Sequence, residues 1–171
     1  MRVELVTLSP PALAALAAGD RVAAERATHL PLSDYAVSAW RSTWQRRHRQ
    51  VTADPRVATW VTGLVIDAER RVVVGRAGFH GPPDARGMVE IGYAIDPRLP
   101  PSGVRAGRSR CPTGSGRRES AVKIVRASVR PDNQPSWRVL EPYGFEAVGQ
   151  QWDDEDGTEL ILELTLKGQS T

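Results

Sequence analysis

The sequence predicts an α/β domain in which helices flank a mixed, mostly antiparallel central sheet. Residues 125–129 alternate apolar and polar side chains, as a strand does, and residues 136–140 place apolar side chains at helical spacing directly afterwards. Residues 88–95 form another apolar segment of strand length. Strands that alternate with helices along the chain are typical of α/β folds.

The composition is that of one globular domain over residues 1–171. Of its 171 residues, 40% are hydrophobic and 25% are charged, which are ordinary values for a domain that buries a core. No apolar run approaches the roughly 18 residues that cross a membrane, and the N-terminus lacks the apolar core of a signal peptide. We therefore expect a cytoplasmic protein with no membrane partner.

Its one cysteine, Cys111, excludes an internal disulfide, and the scattered Cys and His residues predict no metal site.

The net charge of +3 makes a nucleic-acid interface an alternative to weigh. Arginines are concentrated at residues 46–49 and between Arg105 and Arg118, whereas Lys123 and Lys167 are the only lysines. This bias is typical of a high-GC genome that favours Arg over Lys. The second cluster also lacks the interleaved aromatic residues that stack on bases, so a nucleic-acid partner is not expected.

The N-terminal part of the chain predicts a strand and two helices. Residues 2–7 alternate like an edge strand, and Pro10 opens an Ala/Leu-rich helix that ends near Gly19. Ser33 or Asp34 can cap a second helix, which the basic residues 46–49 end in keeping with the helix dipole. Its apolar face is formed by three residues at helical spacing, Val37, Trp40 and Trp44.

Three strands follow in the middle of the chain, and a hairpin closes it. Residues 60–66 and 71–79 are apolar segments joined by a short polar turn, which predicts a hairpin. A loop over residues 80–87 leads to the strand at 88–95. Residues 153–157 form the acidic turn of a last hairpin, and it lacks the ligand spacing of a calcium loop. Three leucines alternate in its second strand, Leu160, Leu162 and Leu164.

The segment 125–149 carries the most specific pattern of the chain. Pro131 breaks the strand, and Asp132 or Asn133 can accept hydrogen bonds from the first amides of the helix that follows. Pro135 suits the first turn of that helix. The next proline and glycine end the helix within about two turns, and another apolar run begins after them.

This pattern resembles the GCN5-related N-acetyltransferase (GNAT) family, specifically the branch that acetylates ribosomal-protein N-termini and its small-molecule relatives. The branch carries a V-R-P-D-N-x-x-S-x-R-x-L-E-x-x-G-F run, which the chain matches over residues 129–145. A second match, V-E-I-G-Y-A-I-D-P over residues 89–97, resembles the family's central strand. The resemblance covers residues 60–97 and 121–166, and two ordered motifs at the expected separation make it specific.

The resemblance implies the acyl-CoA N-acyltransferase (GNAT) fold, in which two central parallel strands splay apart. It implies direct transfer of an acetyl group from acetyl-CoA to a primary amine of a peptide N-terminus or a small molecule, without a metal. Backbone groups near Ala94 and Ile95 would pair with the pantetheine arm of the cofactor. We expect a monomer or a homodimer.

Three side chains are candidates for the chemistry of this reaction. Glu90 is the leading base candidate, directly or through a water, because it points away from the face of Val89 and Ile91. A solvated strand face or an arginine partner is the alternative for Glu90. The resemblance assigns cofactor contact to Asn133, for which a helix cap is the alternative, and protonation of the leaving thiolate to Ser136.

Other residues near these motifs have structural interpretations. Trp40, Trp44 and the turn around His80 lie where the family builds its acceptor pocket, but tryptophans four residues apart are more often core. We expect His80 to be an exposed loop residue. Tyr143 falls where the family has a packing residue, so core packing is predicted for it.

Residues 100–120 depart from the family pattern. They include four Gly, five Arg, four Ser and three Pro, which predicts a disordered or irregular loop. The family places its pyrophosphate loop, [QR]-x-x-G-x-[GA], and a long helix here. Gly103 falls at a phosphate-loop glycine and Arg105 can supply charge, but such a loop offers no helix dipole. We therefore expect weak coenzyme A binding, and a non-catalytic relic that acts as a binding domain is the alternative function.

Back-translation suggests that compensating frameshifts produced this segment, in the gene or in its reported sequence. Translated one base later, degenerate codons for residues 100–108 permit R-R-R-G-Y-A-Q-A-A, a version of the missing motif followed by helix-forming residues. Sequencing the gene tests the hypothesis. We expect codons that give this alternate translation, and codons that exclude it would rule the frameshift out.

Overall fold

The structure is a computed structural model, and it describes residues 3–98, 121–154 and 157–166. The described residues fall into two compact units. Unit 1 contains residues 3–78 and 93–98, and unit 2 contains residues 79–92, 121–154 and 157–166. The single domain over residues 1–171 stays a prediction.

Helices and strands alternate along the described residues as the α/β class requires. The helices are α1 (Pro10–Ala18), α2 (Arg21–Thr28), α3 (Asp34–Ser38), α4 (Arg41–Ala53) and α5 (Gln134–Leu140). The strands are β1 (Val3–Val6), β2 (Gly63–Asp67), β3 (Val72–Phe79), β4 (Met88–Ile95), β5 (Ile124–Val129), β6 (Glu146–Asp153) and β7 (Gly157–Thr165). Short 3₁₀ helices cover Pro55–Thr59 and Glu141–Tyr143. Among these helices, none is long and apolar enough to cross a membrane.

The strands of the described residues form one mixed sheet in the order β1-β2-β3-β4-β5-β7-β6. Antiparallel pairs join β1 to β2, β2 to β3, β5 to β7 and β6 to β7. Strands β4 and β5 pair in parallel. The prediction of a mixed, mostly antiparallel sheet with flanking helices is confirmed.

Helices α1 to α4 and strand β2 supply the core of unit 1. Trp44 is fully buried, and its indole N–H donates to the carbonyl of Ala36 at 2.9 Å. Trp40 is also buried and meets Trp44 edge to face, with 6.2 Å between ring centroids. The core interpretation of these two tryptophans is therefore confirmed. Other fully buried side chains of this core are Leu13, Leu16, Leu30, Leu64 and Ile66.

The helix starts follow from local capping chemistry. Ser9, Asp20 and Ser33 each accept a hydrogen bond from the backbone N–H three residues later, at 3.4, 2.9 and 3.1 Å, which satisfies one of the free amides of the first turn. Gly19 ends α1 in the left-handed conformation, with φ of 80°, where glycine has no steric cost.

The second predicted helix differs in detail from the observed structure. Helix α3 stops at Ser38, and a new helix, α4, starts at Arg41 because Trp40 leaves helical geometry with ψ of 15°. This break accompanies the burial of both tryptophans in the core. Helix α2 was not predicted, and of its residues only Ala24 is buried.

Strand β5 organises unit 2. It pairs with β4 on one side and along its whole length with β7 on the other, from Ile124↔Thr165 to Val129↔Leu160. Ala127 and Val129 of this strand are buried, and so is Leu140 at the end of α5. The buried apolar side chains of this unit are Val89, Ala127, Val129, Leu140 and Leu162.

In unit 1, a buried aspartate secures the end of β4. The Asp96 amide donates to the carbonyl of Val74 on β3 at 3.0 Å. Its carboxylate accepts two hydrogen bonds from the Arg98 guanidinium, at 2.9 and 2.6 Å, one from the Arg98 amide at 3.0 Å, and one from the Ser33 hydroxyl at 3.5 Å. The hydrogen bond from Arg98 is the main reason that the pKa of Asp96 lies below its ordinary value.

We expect Asp96→Asn to lower the free energy of unfolding by roughly 1–2 kcal/mol at pH 7, because a buried charge-assisted hydrogen bond is weakened. Because its folded-state pKa is lowered, the Asp96 carboxylate stabilises the fold at pH values above the unfolded-state pKa of about 3.9. This stabilisation is lost as the pH falls through the folded-state pKa. The stability gap between wild type and Asp96→Asn should therefore be constant near neutrality and narrow below about pH 4.

Urea denaturation at a series of pH values measures this gap. Asp132→Asn is the matched control, because Asp132 forms the same kind of pair with Arg130 while its side chain is 68% exposed. We expect little change in stability for that variant, since exposed pairs contribute little. A gap for Asp96→Asn that stays constant down to pH 2 would contradict the prediction.

Candidate active site

The parallel ladder of β4 and β5 ends before either strand does. Its last pair is Ile91↔Ala127, although β4 continues to Ile95 and β5 to Val129. Gly92 and Ser128, the next residues of the two strands, are not paired. Beyond Ile91, the peptide groups of β4 therefore have no ladder partner on β5. Ala94 and Ile95 lie in the part of β4 that the ladder does not reach.

A histidine side chain lies against Gly92 in unit 2. The His80 amide donates to the carbonyl of Glu90 at 2.8 Å, which places the two residues side by side. A Cβ atom on Gly92 would lie 2.6 Å from Nε2 of His80, closer than van der Waals contact allows. Glycine at position 92 therefore makes the room that the imidazole ring occupies.

Glu90 lies at one end of a polar network in unit 2. Its Oε1 atom accepts a hydrogen bond from the Ser128 hydroxyl at 3.0 Å and lies 3.7 Å from Nδ1 of His80. The Gln151 amide donates to the Ser128 hydroxyl at 3.1 Å and to Glu159 at 3.0 Å. The Glu90 side chain is 26% exposed, so its carboxylate is held in place yet accessible to a ligand.

The arginine beside Glu90 in the ladder is not its partner. Arg126 pairs with Glu90 in the strand register, but its guanidinium donates to Oε1 of Glu163 at 3.0 and 2.6 Å. Arg86 adds a weaker ion pair to Glu163 at 3.9 Å. The arginine-partner alternative for Glu90 is therefore not observed for Arg126. The carboxylate faces an imidazole and a hydroxyl instead.

The candidate residues at the start of α5 are arranged as the sequence motif predicts. Asn133 is the N-cap, and its side-chain oxygen accepts from the Ser136 amide at 3.2 Å, so the cap interpretation is confirmed. The NH₂ group of Asn133 is the part that can donate to a ligand. Ser136 is half-buried in the first turn of the helix.

Two expectations about neighbouring aromatic residues need correction. Tyr143 is 46% exposed, so its predicted core packing is wrong. The 3₁₀ helix that carries Tyr143 ends at Gly144, whose φ is 77°. His80 is not simply an exposed loop residue, because its half-exposed ring lies against Gly92 and next to Glu90.

Two predicted residues and one cavity lie outside this arrangement. Gly103 and Arg105 belong to residues that the structure does not describe, so their cofactor roles stay predictions. A cavity of about 410 Å³ lies beside α5 and is lined by Trp137, Phe145 and others. Neither Glu90 nor the α5 candidates border it, so this cavity is separate from the site around Glu90.

Sequence comparison identifies the family of the chain. The family model described as "Acetyltransferase (GNAT) domain" matches residues 2–146. No curated protein matches the chain.

Solved structures with the same fold include several acetyltransferases. A ribosomal L7/L12 α-N-protein acetyltransferase, RimL, in complex with coenzyme A, has 15% identity and a TM-score of 0.60, with 96% of this chain and 94% of that chain covered. The ribosomal-protein-S5-alanine acetyltransferase from Vibrio fischeri has 12% identity and a TM-score of 0.56, with 99% and 94% covered. The microcin C7 self-immunity acetyltransferase MccE, in complex with acetyl-CoA and AMP, has 12% identity and a TM-score of 0.57, with 96% and 92% covered. At these identities the likeness shows the fold.

Proposed function

The chain is an acyltransferase that belongs to the GNAT acetyltransferase family, and from that premise we propose that it transfers an acetyl group from acetyl-CoA to a primary amine. The observation that carries the proposal is the end of the β4–β5 ladder at Ile91↔Ala127. The acceptor is the amine of a peptide N-terminus or of a small molecule. The similar structures support this choice, because RimL is a ribosomal-protein acetyltransferase solved with coenzyme A and MccE was solved with acetyl-CoA.

The unladdered end of β4 is the proposed docking edge for the pantetheine arm. An extended chain with amide groups can bind a strand edge by main-chain hydrogen bonds, as a peptide does in β-augmentation. Ala94 and Ile95 supply these backbone groups, and the 42% exposed Ile95 side chain offers an apolar surface nearby. The coenzyme contributes the thioester, and the chain contributes its orientation.

Glu90 is the proposed base. As the amine nitrogen bonds to the carbonyl carbon, the carbon–sulfur bond breaks and the ammonium-derived proton passes to the Glu90 carboxylate, directly or through a water. The Ser128 hydroxyl at 3.0 Å and the His80 ring at 3.7 Å position that carboxylate. We infer that Ser128 and His80 are positioning residues for Glu90.

The start of α5 and the preceding segment complete the proposed site. Ser136 donates its hydroxyl proton to the leaving thiolate and regains one from water, to which Glu90 releases the proton it took, and the NH₂ group of Asn133 donates to the cofactor. Gly103 and Arg105 are proposed to contact the phosphates. Because residues 100–120 lack the family's glycine-loop pattern, the rival proposal is a relic that has lost cofactor binding.

A thermal-shift titration with acetyl-CoA separates the two proposals. The enzyme should gain about 2.7 kcal/mol of stability when the ligand reaches 100 times its dissociation constant. No stabilisation at millimolar acetyl-CoA would favour the relic.

Substitutions in the polar network then test the base. We expect Glu90→Gln to reduce kcat by about 10²–10⁴-fold, the usual contribution of a general base, with the acetyl-CoA stabilisation unchanged. Ser128→Ala should cause a smaller loss of kcat. Glu159→Gln is the matched control, because it removes a carboxylate from the far end of the same network. Equal kcat for Glu90→Gln and Glu159→Gln would mean that Glu90 is not the base, even if acetyl-CoA binds.

A further inference from the structure

Unit 1 contains a half-buried arginine with an unsatisfied donor. Arg76 lies on β3 opposite Leu64 of β2, and Leu64 is fully buried in the core of this unit. The Nε atom of Arg76 is buried and has no hydrogen-bond partner among the described residues. A buried polar donor without a partner is uncommon and calls for an explanation, such as an absent ligand.

A second arginine lies near the first. Arg46 is on α4, next to Arg47, which is 2% exposed. The Arg47 guanidinium donates to the Thr62 hydroxyl at 3.1 Å and to the Gln50 side chain at 2.8 Å. These bonds hold the turn of α4 that carries Arg46.

The charges of this cluster are poorly compensated. Burial, and then the positive charge of Arg46, lower the pKa of the Arg76 guanidinium. An arginine stays protonated at any accessible pH, so the lowered pKa marks unfavourable surroundings for the charge. Loss of hydration without a partner destabilises a buried ion by several kcal/mol. Two neighbouring cations therefore lie where an anion would relieve both of them.

Asp96, a buried carboxylate of the same unit, is already engaged. Both oxygens of Asp96 bind the Arg98 guanidinium, and that guanidinium stacks on the Tyr35 ring at 4.8 Å from its centroid. Tyr35 is a further group that acts on Arg76, and near pH 7 its neutral hydroxyl can donate a hydrogen bond. The cluster of Tyr35, Arg46 and Arg76 thus offers donors and positive charge with no acid of its own.

We propose that Arg76, Arg46 and Tyr35 form a binding site for the oxyanion of a small molecule, a carboxylate or a phosphate. The planar guanidinium fork matches two oxygens of either group, and such charge-assisted bonds are the strong ones in proteins. The inference rests on unit 1 alone and does not depend on the acetyl-transfer proposal.

Thermal denaturation in sodium phosphate, sodium acetate and sodium chloride at equal ionic strength tests this site. We expect phosphate or acetate to raise the Tm of the full chain above its value in chloride, and the stronger of the two identifies the oxyanion. Equal Tm values in all three salts would overturn the proposal, because a general ionic-strength effect would then account for any stabilisation.

Substitutions test whether the rise in Tm with anions depends on Arg76 and Arg46. Arg76→Met should abolish the anion response and raise the Tm in chloride, since replacing an unpaired buried charge with an apolar side chain is often stabilising. Arg46→Gln should weaken anion affinity about 10-fold or more, the effect of losing one charge-assisted bond. Arg49→Gln removes the same charge from an exposed position on the same helix, and its anion response should equal that of wild type.

Each remaining outcome decides the proposal. An anion response that persists in Arg76→Met, or that falls equally in Arg46→Gln and Arg49→Gln, would overturn it. If Arg76→Met does not fold, the comparison of the two exposed-arginine variants still decides, because neither of those side chains is buried.

Discussion

The proposed chemistry depends on where the backbone pairing of β4 ends. Met88 to Ile91 are laddered to β5, and the residues that follow are not. On its other edge, the end of β4 is held to β3 in unit 1. The Asp96 amide bonds the Val74 carbonyl at 3.0 Å, and a Cβ atom on Gly75 would lie only 2.5 Å from the Ala94 carbonyl oxygen. Because backbone groups need partners, a strand secured on one edge and unladdered on the other suits an extended ligand.

The same strand determines the surroundings of Glu90. The arginine next to it in the ladder, Arg126, is neutralised by Glu163, so Glu90 is left with the Ser128 hydroxyl and the His80 ring. Gly92 leaves room for that arrangement, because a Cβ atom there would lie 2.6 Å from Nε2 of His80 and the ring would have to shift. A carboxylate with fixed neighbours that Arg126 does not neutralise is available to accept a proton, which is the role proposed for it.

Several of the described arginines pair with carboxylates. Arg98, Arg126 and Arg130 each hold a carboxylate at 2.6 to 2.7 Å, those of Asp96, Glu163 and Asp132. Arg76 instead combines partial burial with a buried Nε that has no partner among the described residues. An excess of arginine that composition alone attributes to codon usage therefore includes one side chain whose position points to an anionic ligand.

The sequence by itself determined the local features and the family. Alternation predicted β5, an apolar segment of strand length predicted β4, Pro10 predicted the start of α1, capping residues predicted the start of α5, and the 129–145 motif predicted the GNAT fold. Each of these signals depends on residues close together in the chain. The sequence missed α2, a short helix that buries only Ala24, and misplaced Tyr143. Only the tertiary structure decided that His80 lies beside Glu90 and that Arg46 approaches Arg76. The members of the first pair are 10 positions apart in the chain, and those of the second pair are 30 positions apart. Their proximity is set by strand register and helix packing, which no local pattern encodes.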